Sequence, residues 1–147
     1  QFQLLKKNLS AIAAGVAAGA VSCLGIVALF GIVFGFQRVL TISLLPKSIT
    51  TAIGMGLSKE LGGNVPVTIM AIIITGIIGN IFAEVFLKLT RISNPIAKGI
   101  AIGSASHVIG TSKAMEMGQT EGAMSSLAIV TSGVLTVIAA SLISFLQ

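Results

Sequence analysis

The sequence has few charged residues, no tryptophan or tyrosine, and a single cysteine. Charged residues make up 9% of it, whereas soluble domains carry about 25%, so the chain lacks the polar surface that keeps a globule in water. The single cysteine, Cys23, excludes an internal disulfide and a cysteine-based metal cluster, and its apolar surroundings favour a small buried thiol. The scarcity of charge indicates an integral membrane protein.

The motifs of the common enzyme classes are missing as well. There is no H-E-x-x-H motif, and residues 103–113 lack the G-K-[ST] order of a phosphate-binding loop. A pair of His107 with Ser48 or Ser106 is conceivable, but no third group that would orient the base is evident. We therefore expect neither an enzyme nor a bound cofactor or metal.

Nucleic acid is not an expected partner either. The net charge of +5 comes from nine scattered lysines and arginines, with no basic stripe or aromatic platform. In a membrane protein such charges are more simply signals of topology.

Long apolar runs are what the sequence does contain, with a mean hydropathy of +1.05. The runs without a charged residue are Leu9–Phe36, Val65–Ala83 and Gly122–Leu146. About 20 apolar residues cross a bilayer, so each run predicts a transmembrane helix, the first one tilted or bent. The first run is also longer than the roughly 7–15-residue core of a signal peptide. The missing tryptophan and tyrosine leave the ends of the spans unmarked.

Two further segments are too polar and too rich in glycine to be plain spans. Residues 37–63 place several charged residues around a short apolar stretch, Ser48–Leu57, and end at Gly62 and Gly63. Residues 99–121 contain the only histidine and two of the four acidic residues. We predict a broken or re-entrant helix in each segment, because irregular backbone at membrane depth is tolerated only inside protein or against a water-filled cavity.

The two polar segments also resemble each other. Shifting the first segment by 56 positions aligns its hydroxyl residues, glycines and one acidic residue with those of the second segment. One further inserted residue extends the alignment into the spans that follow. The aligned pairs include Ser48 with Ser104, Ile53 with Ile109, Gly54 with Gly110, Glu60 with Glu116 and Gly76 with Gly133. We predict a single transmembrane domain over residues 1–147 with repeat units at about 40–90 and 96–147.

The basic residues predict the orientation of these units. Lys6 and Lys7 precede the first span, and Lys88, Arg91 and Lys98 follow the second. The positive-inside rule places both clusters in the cytoplasm, so the spans run outward, inward and outward. The repeat units would then be inverted, as in secondary transporters, whose sites lie near mid-membrane where broken helices meet.

Several stretches resemble those of a known family, and the resemblance extends from residue 40 to the C-terminus. They are PKSITTAIG (46–54), GGNVP (62–66), NPIAKGIAIGSASHVIGTSKAMEMG (94–118) and EGAMSSLAI (121–129). These stretches, with the H-x-x-G-T signature at residues 107–111, closely resemble the LrgB/CidB family of bacterial membrane proteins. Family members are longer at the N-terminus, so we expect the chain to be the C-terminal part of a longer protein.

The resemblance implies a multi-pass protein of the cell membrane and one of two functions. One is transport of small carboxylates such as pyruvate or glycolate. The other is holin-like or antiholin-like control of murein hydrolase activity and cell lysis. The family also implies partnership with a small LrgA/CidA-like membrane protein, and we expect a homo-oligomer.

The polar side chains of the two broken helices are the candidate site. The predicted substrate-binding residues are Lys47, Ser48, Thr50, Thr51, Ser104, Ser106, His107, Thr111 and Ser112. Two helix N-termini that meet there would suit an anionic carboxylate, although serine and threonine also cap helices and bridge backbones in lipid.

Three residues are candidates for proton or ion coupling: His107, Glu116 and Glu121. The alternative for His107 is a buried histidine held by neighbouring hydroxyls. Lys113 is either a second positive charge at the site or a local ion-pair partner of Glu116, and Glu84 is spaced to pair with Lys88. We take carboxylate transport as the first hypothesis and a lysis-modulating membrane protein as the second.

Overall fold

The computed structural model describes Lys6 and residues 8–146, with side chains described as far as Leu142. Lys7, part of the predicted cytoplasmic cluster, lies outside the described residues. The described part contains six α-helices and a 3₁₀ turn and no strand. The helices are α1 (Leu9–Val33), α2 (Arg38–Leu44), α3 (Thr51–Glu60), α4 (Val65–Leu89), α5 (Pro95–Met117) and α6 (Gln119–Leu146), and the 3₁₀ turn is Leu45–Ser48. The predicted all-α membrane architecture is confirmed.

Three helices are long and apolar enough to cross a membrane: Leu9–Val33, Val65–Leu89 and Gln119–Leu142. They confirm the three predicted spans, but their ends differ. The first ends before Gly35, whose φ of 62° turns the chain. The second continues through Glu84 and Lys88, because long charged side chains near the end of a span reach the aqueous interface.

The first polar segment folds into a helical hairpin. Its incoming arm is α2 with the 3₁₀ turn, and its outgoing arm is α3. The reversal is at Ile49 and Thr50, whose backbones are extended with ψ of 177° and 145°. The arms lie side by side, since a Cβ on Gly54 would be 3.5 Å from Pro46 Cβ. Gly62, with a φ of 82°, ends the hairpin as predicted.

The second polar segment is α5, which also reverses. His107 has φ 44° and ψ −143°, values outside any helix, and it divides α5 into an incoming arm (residues 95–106) and an outgoing arm (residues 108–117). The arms pack against each other, since Ile102 and Ala114 share one apolar cluster and a Cβ on Gly110 would meet Ile102 Cγ2 at 3.3 Å. Both polar segments are therefore re-entrant hairpins.

The outgoing arm of α5 lies between α4 and α6. It runs parallel to α4 and antiparallel to α6, so these two spans cross the membrane in opposite directions. The contacts that establish this are Gly76 with Ile109 and Glu84 with Lys113 along α4, and Thr111 with Ser125 and Met115 with Gly122 along α6. α1 runs parallel to α6, because Ile12 packs in the cluster of Ala128 and Val27 packs in that of Ala140.

Glycines let the incoming arm of α5 lie directly on α6. A Cβ on Gly99 would overlap the backbone carbonyl of Glu121, and one on Gly103 would overlap that of Ser125. Small residues allow this approach of two backbones in lipid. The hairpin is thereby held against a complete span.

We expect Gly103→Ala to destabilise the fold by about 1–3 kcal/mol, the usual cost of overpacking. The added methyl group meets backbone of α6, which cannot rotate away as a side chain can. Thermal unfolding of the purified protein, followed by circular dichroism, measures the effect. Gly25→Ala is the matched control, since a Cβ there meets no atom within 4 Å. A Gly103→Ala protein as stable as the control would contradict the packing described.

Candidate functional site

A cavity of about 460 Å³ lies where the two hairpins reverse, and we call it the central cavity. The first hairpin contributes Lys47 and the second contributes Ser106, each just before its reversal. α4 contributes Thr75 and Gly79. The two predicted broken helices thus line one space.

The central cavity reaches the middle of the membrane. α4 has 25 residues and is therefore about 37 Å long, somewhat longer than the roughly 30 Å hydrocarbon core. Its middle residue is Ile77, which lies between the two lining residues Thr75 and Gly79. A polar group at this level is far from water unless the cavity supplies it.

The remainder of the cavity wall is mostly apolar. It follows α4 from the centre to the end that faces the predicted cytoplasmic side. Its apolar side chains are Ile78, Ala83, Phe86, Leu87, Ile92 and Ile102. The cavity therefore has a polar end at mid-membrane and a long apolar side that is open to the surroundings, since Ile78 and Phe86 are exposed.

His107 anchors the second reversal to α4. Its ring is 2% exposed, and its Nε2 lies 2.8 Å from the carbonyl oxygen of Ile72. A carbonyl can only accept, so Nε2 carries the hydrogen and donates it. Gly76 makes room for the ring, since a Cβ there would lie 2.6 Å from His107 Cε1. The imidazole thus contacts the α4 backbone, and it is not among the residues that line the central cavity.

Lys47 is the charged residue of the central cavity. Its side chain is half-buried, and its Nζ donates to Ser48 Oγ at 2.9 Å. No carboxylate pairs with it in the part of the chain that the structure describes. A cation at this depth without an acid partner is costly, so the geometry leaves a position for an anion.

Ser106 supplies a free hydroxyl to the same cavity. The residue is 5% exposed, and its hydroxyl makes no hydrogen bond with any described residue. Gly79 of α4 faces it, and a Cβ on that glycine would overlap the Ser106 hydroxyl. Since no fully buried side-chain atom lacks a partner among the described residues, the hydroxyl is open to the cavity.

The other predicted substrate-binding residues lie in different surroundings. Thr50 and Thr51 are half-buried where α3 begins, and Thr50 makes no side-chain cap. Ser104 points to α1 on the opposite side of the arm, where a Cβ on Gly19 would meet its hydroxyl at 2.7 Å. Thr111 and Ser112 bond towards α6 and α4 rather than towards Lys47.

The predicted coupling acids lie at the far end of the outgoing arm. Glu116 is nine residues beyond His107 along a helix, which is about 13 Å, and its carboxylate is 3.1 Å from Lys113 Nζ. Glu121 is buried in the first turn of α6, where a negative charge complements the helix dipole. Its carboxylate folds over Gly118.

Lys113 joins the second hairpin to α4. Its Nζ lies 2.9 Å from Glu84 Oε1 and 3.1 Å from Glu116 Oε2, so it has the predicted local partner and a second one on another helix. Glu84 also meets Lys88, as its spacing predicted, but at the longer distance of 3.8 Å. The outgoing arm of the second hairpin is thus attached to α4 near both of its ends, by His107 and by Lys113.

We expect the charge reversal Lys113→Glu to lower the thermal midpoint, because three carboxylates then face one another. The double exchange Lys113→Glu with Glu84→Lys places opposite charges across the two helices again and should regain most of the loss. Circular dichroism melts of the single and double variants measure both effects. Equal midpoints for the Lys113→Glu protein and the exchange would show that the pair does not join the helices.

Sequence reasoning missed several polar contacts of the site. Asn80 of α4 donates to the Ile109 carbonyl and to Ser112 Oγ, both at 2.9 Å. Ser125 of α6 meets the Thr111 hydroxyl at 2.7 Å. An available signal was Asn80 itself, the only side-chain amide in the charge-free run 65–83. No group of three or more potential metal ligands lies together in the described part of the chain.

Comparison with known proteins gives one family. A sequence model of the LrgB-like family matches residues 1–146. The holin-like protein CidB of Staphylococcus aureus (strain Mu50 / ATCC 700699) is 40% identical over 132 residues, which are 90% of this chain and 58% of that protein. The antiholin-like protein LrgB of Bacillus subtilis (strain 168) is 38% identical over 134 residues, 91% of this chain and 58% of that protein. No solved structure matches the chain, which spans less than two-thirds of the length of these relatives.

Proposed function

Because the chain belongs to the LrgB-like family, we propose that it acts in the cell membrane as a holin-like or antiholin-like protein. The names of its relatives, a holin-like and an antiholin-like protein, support this function, which was the second hypothesis from the sequence. The names do not mention carboxylates. Since the relatives are longer than this chain, the activity of the whole protein, its association with an LrgA/CidA-like partner and its oligomeric state are all part of the proposal.

Within that class we propose a more specific action, the passage of a small carboxylate through the membrane without enzymatic change. The observation that carries it is the meeting of the two hairpin reversals around a cavity that holds Lys47 and the free Ser106 hydroxyl. A non-selective pore would need a wide polar lining, and the apolar wall of this cavity does not supply one.

The predicted inverted repeat is part of this proposal. Contacts of one unit recur at the aligned positions of the other, although α4 and α6 run in opposite directions. The recurring pairs are Gly76 with Ile109 and Gly133 with Ile53, and also Gly54 with Pro46 and Gly110 with Ile102. Such symmetry supports a site on the axis between the units, as in transporters built from inverted repeats.

Two helix N-termini strengthen the preference for an anion. α3 begins at Thr51 and the outgoing arm of α5 begins at Val108, both next to the reversals. The first turn of a helix has N–H groups without a partner inside the helix, and the positive end of its dipole attracts negative charge. Together with Lys47 they favour a carboxylate at mid-membrane.

His107 acts in this proposal by positioning the second reversal, through its bond to Ile72. A proton-coupling role for His107, Glu116 or Glu121 stays a prediction. Its test is whether an imposed proton gradient drives carboxylate uptake by proteoliposomes.

Uptake by proteoliposomes distinguishes the two actions. Vesicles that contain the protein and an entrapped fluorescent dye are given labelled pyruvate or glycolate. Saturable uptake without loss of dye supports selective passage, whereas loss of dye without saturation supports a holin-like pore. Ser106→Ala should weaken uptake, and Ser126→Ala on α6 is the matched control because its hydroxyl bonds to the Gly122 carbonyl of its own helix. Equal uptake by both variants would contradict the proposed site.

A further inference from the structure

We infer that the open apolar side of the central cavity holds one acyl chain of an anionic phospholipid, whose phosphate lies at Lys88 and Lys98. This lipid site is independent of the proposed carboxylate passage, because it uses the apolar side of the cavity and leaves the polar end free. A second pocket, which continues the cavity towards the membrane surface, supplies the place for the headgroup.

The second pocket, which we call the basic pocket, has a volume of about 280 Å³ and lies where α4 ends and α5 begins. Its lining residues are Glu84, Leu87, Lys88, Ile92, Lys98 and Met117. Leu87 and Ile92 also line the central cavity, so the two spaces adjoin at these side chains. Together they form a groove with a basic end and an apolar length.

The charges of the basic pocket suit a phosphate. Lys98 is half-buried, and no carboxylate pairs with it in the part of the chain that the structure describes. Lys88 lies 3.8 Å from Glu84, whose carboxylate has a closer partner in Lys113 at 2.9 Å. The pocket is at the predicted cytoplasmic side, and the cytoplasmic leaflet is the one with anionic lipids. A phospholipid phosphate therefore complements the two lysines.

The apolar length of the groove matches one leaflet. Lys88 is eleven residues beyond Ile77, the middle residue of α4, which is about 16 Å along a helix. Half of a hydrocarbon core is about 15 Å. Ile78 and Phe86 are 50% and 60% exposed along this length, as expected of side chains that contact lipid. An acyl chain that starts at the basic pocket thus reaches mid-membrane and covers the open side of the cavity.

Fluorescence quenching can locate the chain, because the sequence has no tryptophan. Phe86→Trp places one in the groove, and Val85→Trp places one at nearly the same depth on a face of α4 that lines neither pocket. Each protein is reconstituted in phosphatidylcholine with a small fraction of phosphatidylglycerol that has brominated chains. Quenching in the Phe86→Trp protein should saturate at a low fraction of brominated lipid, whereas in Val85→Trp it should rise only in proportion to that fraction.

Removal of charge tests the headgroup in the Phe86→Trp background. We expect brominated phosphatidylglycerol to be preferred over brominated phosphatidylcholine by about thirtyfold, with about fivefold from each lysine. Lys88→Gln and Lys98→Gln should each lower the preference about fivefold, and the double variant should remove it. Lys59→Gln, an exposed lysine on α3 outside both pockets, is the matched control and should leave the preference unchanged.

Four outcomes would overturn the inference. Equal quenching by the two brominated lipids would show that the groove accepts any acyl chain. Equal quenching in Phe86→Trp and Val85→Trp would place the lipid outside the groove, and no quenching in Phe86→Trp would show that protein covers this side. Competition by glycerol 3-phosphate at the concentration of the lipid would identify a soluble phosphate as the ligand. Carboxylate uptake is a separate measurement, and its success or failure leaves the lipid site in place.

Discussion

Replacement of His107 by alanine is expected to lower both the thermal midpoint and carboxylate uptake. The ring is buried and its Nε2 donates to the Ile72 carbonyl at 2.8 Å. Without it, the Ile72 carbonyl keeps its bond within α4 but loses the one from the imidazole, and the ring leaves a cavity. The combined cost is about 1–3 kcal/mol, and the second reversal loses its attachment to α4. A loss of that size in the stability of the conformation that binds carboxylate reduces uptake by about tenfold or more. Circular dichroism melts and proteoliposome uptake measure the two effects.

Glycine at the same position separates the backbone from the side chain. His107 has a φ of 44°, a conformation that costs a residue with a Cβ about 1–3 kcal/mol and costs glycine little. His107→Gly should therefore melt above His107→Ala, although both lack the bond to Ile72. Uptake should be equally poor in the two variants.

Glutamine is the control that keeps the hydrogen bond. Its side-chain amide donates at about the reach of the imidazole Nε2, so His107→Gln should retain most of the wild-type uptake. It cannot titrate, so full uptake by His107→Gln would also remove proton coupling from this residue. Poor uptake by His107→Gln together with a wild-type melting temperature would contradict the positioning role and favour an ionising histidine.

The spans and the existence of the two hairpins could be predicted because lipid imposes strict rules on sequence. A run such as Val65–Ala83 has few alternatives to a span, and a segment that is too short and too polar must lie inside protein. The place of the second reversal could not be predicted. His107 is not a glycine or a proline, and its positive φ is held by the contact with Ile72, 35 residues away.

The grouping of hydroxyls was predicted less well, although helix geometry contains the answer. Ser104 and Ser106 are two residues apart on a helix and so point to nearly opposite sides. The structure accordingly places Ser104 against α1 and Ser106 in the central cavity. The partner of Lys113 was a harder problem. Glu84 is 29 positions away, and only the register between the hairpin and α4 brings the two together.

Replacement of Lys47 by methionine should stabilise the protein and abolish carboxylate binding. The lysine stands at mid-membrane with Ser48 as its hydrogen-bond partner and with no acid paired to it among the described residues. A lysine at the centre of a span costs about 2.5–3.5 kcal/mol on insertion scales, and methionine fills a similar space without charge. The gain will be smaller than this, because the cavity gives Lys47 partial access to water.

Two measurements on the same samples show whether the charge is kept for function. Without ligand, Lys47→Met should melt above the wild type. With pyruvate or glycolate, only the wild type should shift upward, by an amount set by ligand concentration. Lys113→Met is the control of opposite sign, since it removes a lysine that has two carboxylate partners and should melt below the wild type. If Lys47→Met melts below the wild type and both proteins respond equally to carboxylates, the lysine has a structural role and the anion binds elsewhere. A residue that lowers stability when the cavity is empty and raises it when an anion is present acts as a binding site for that anion.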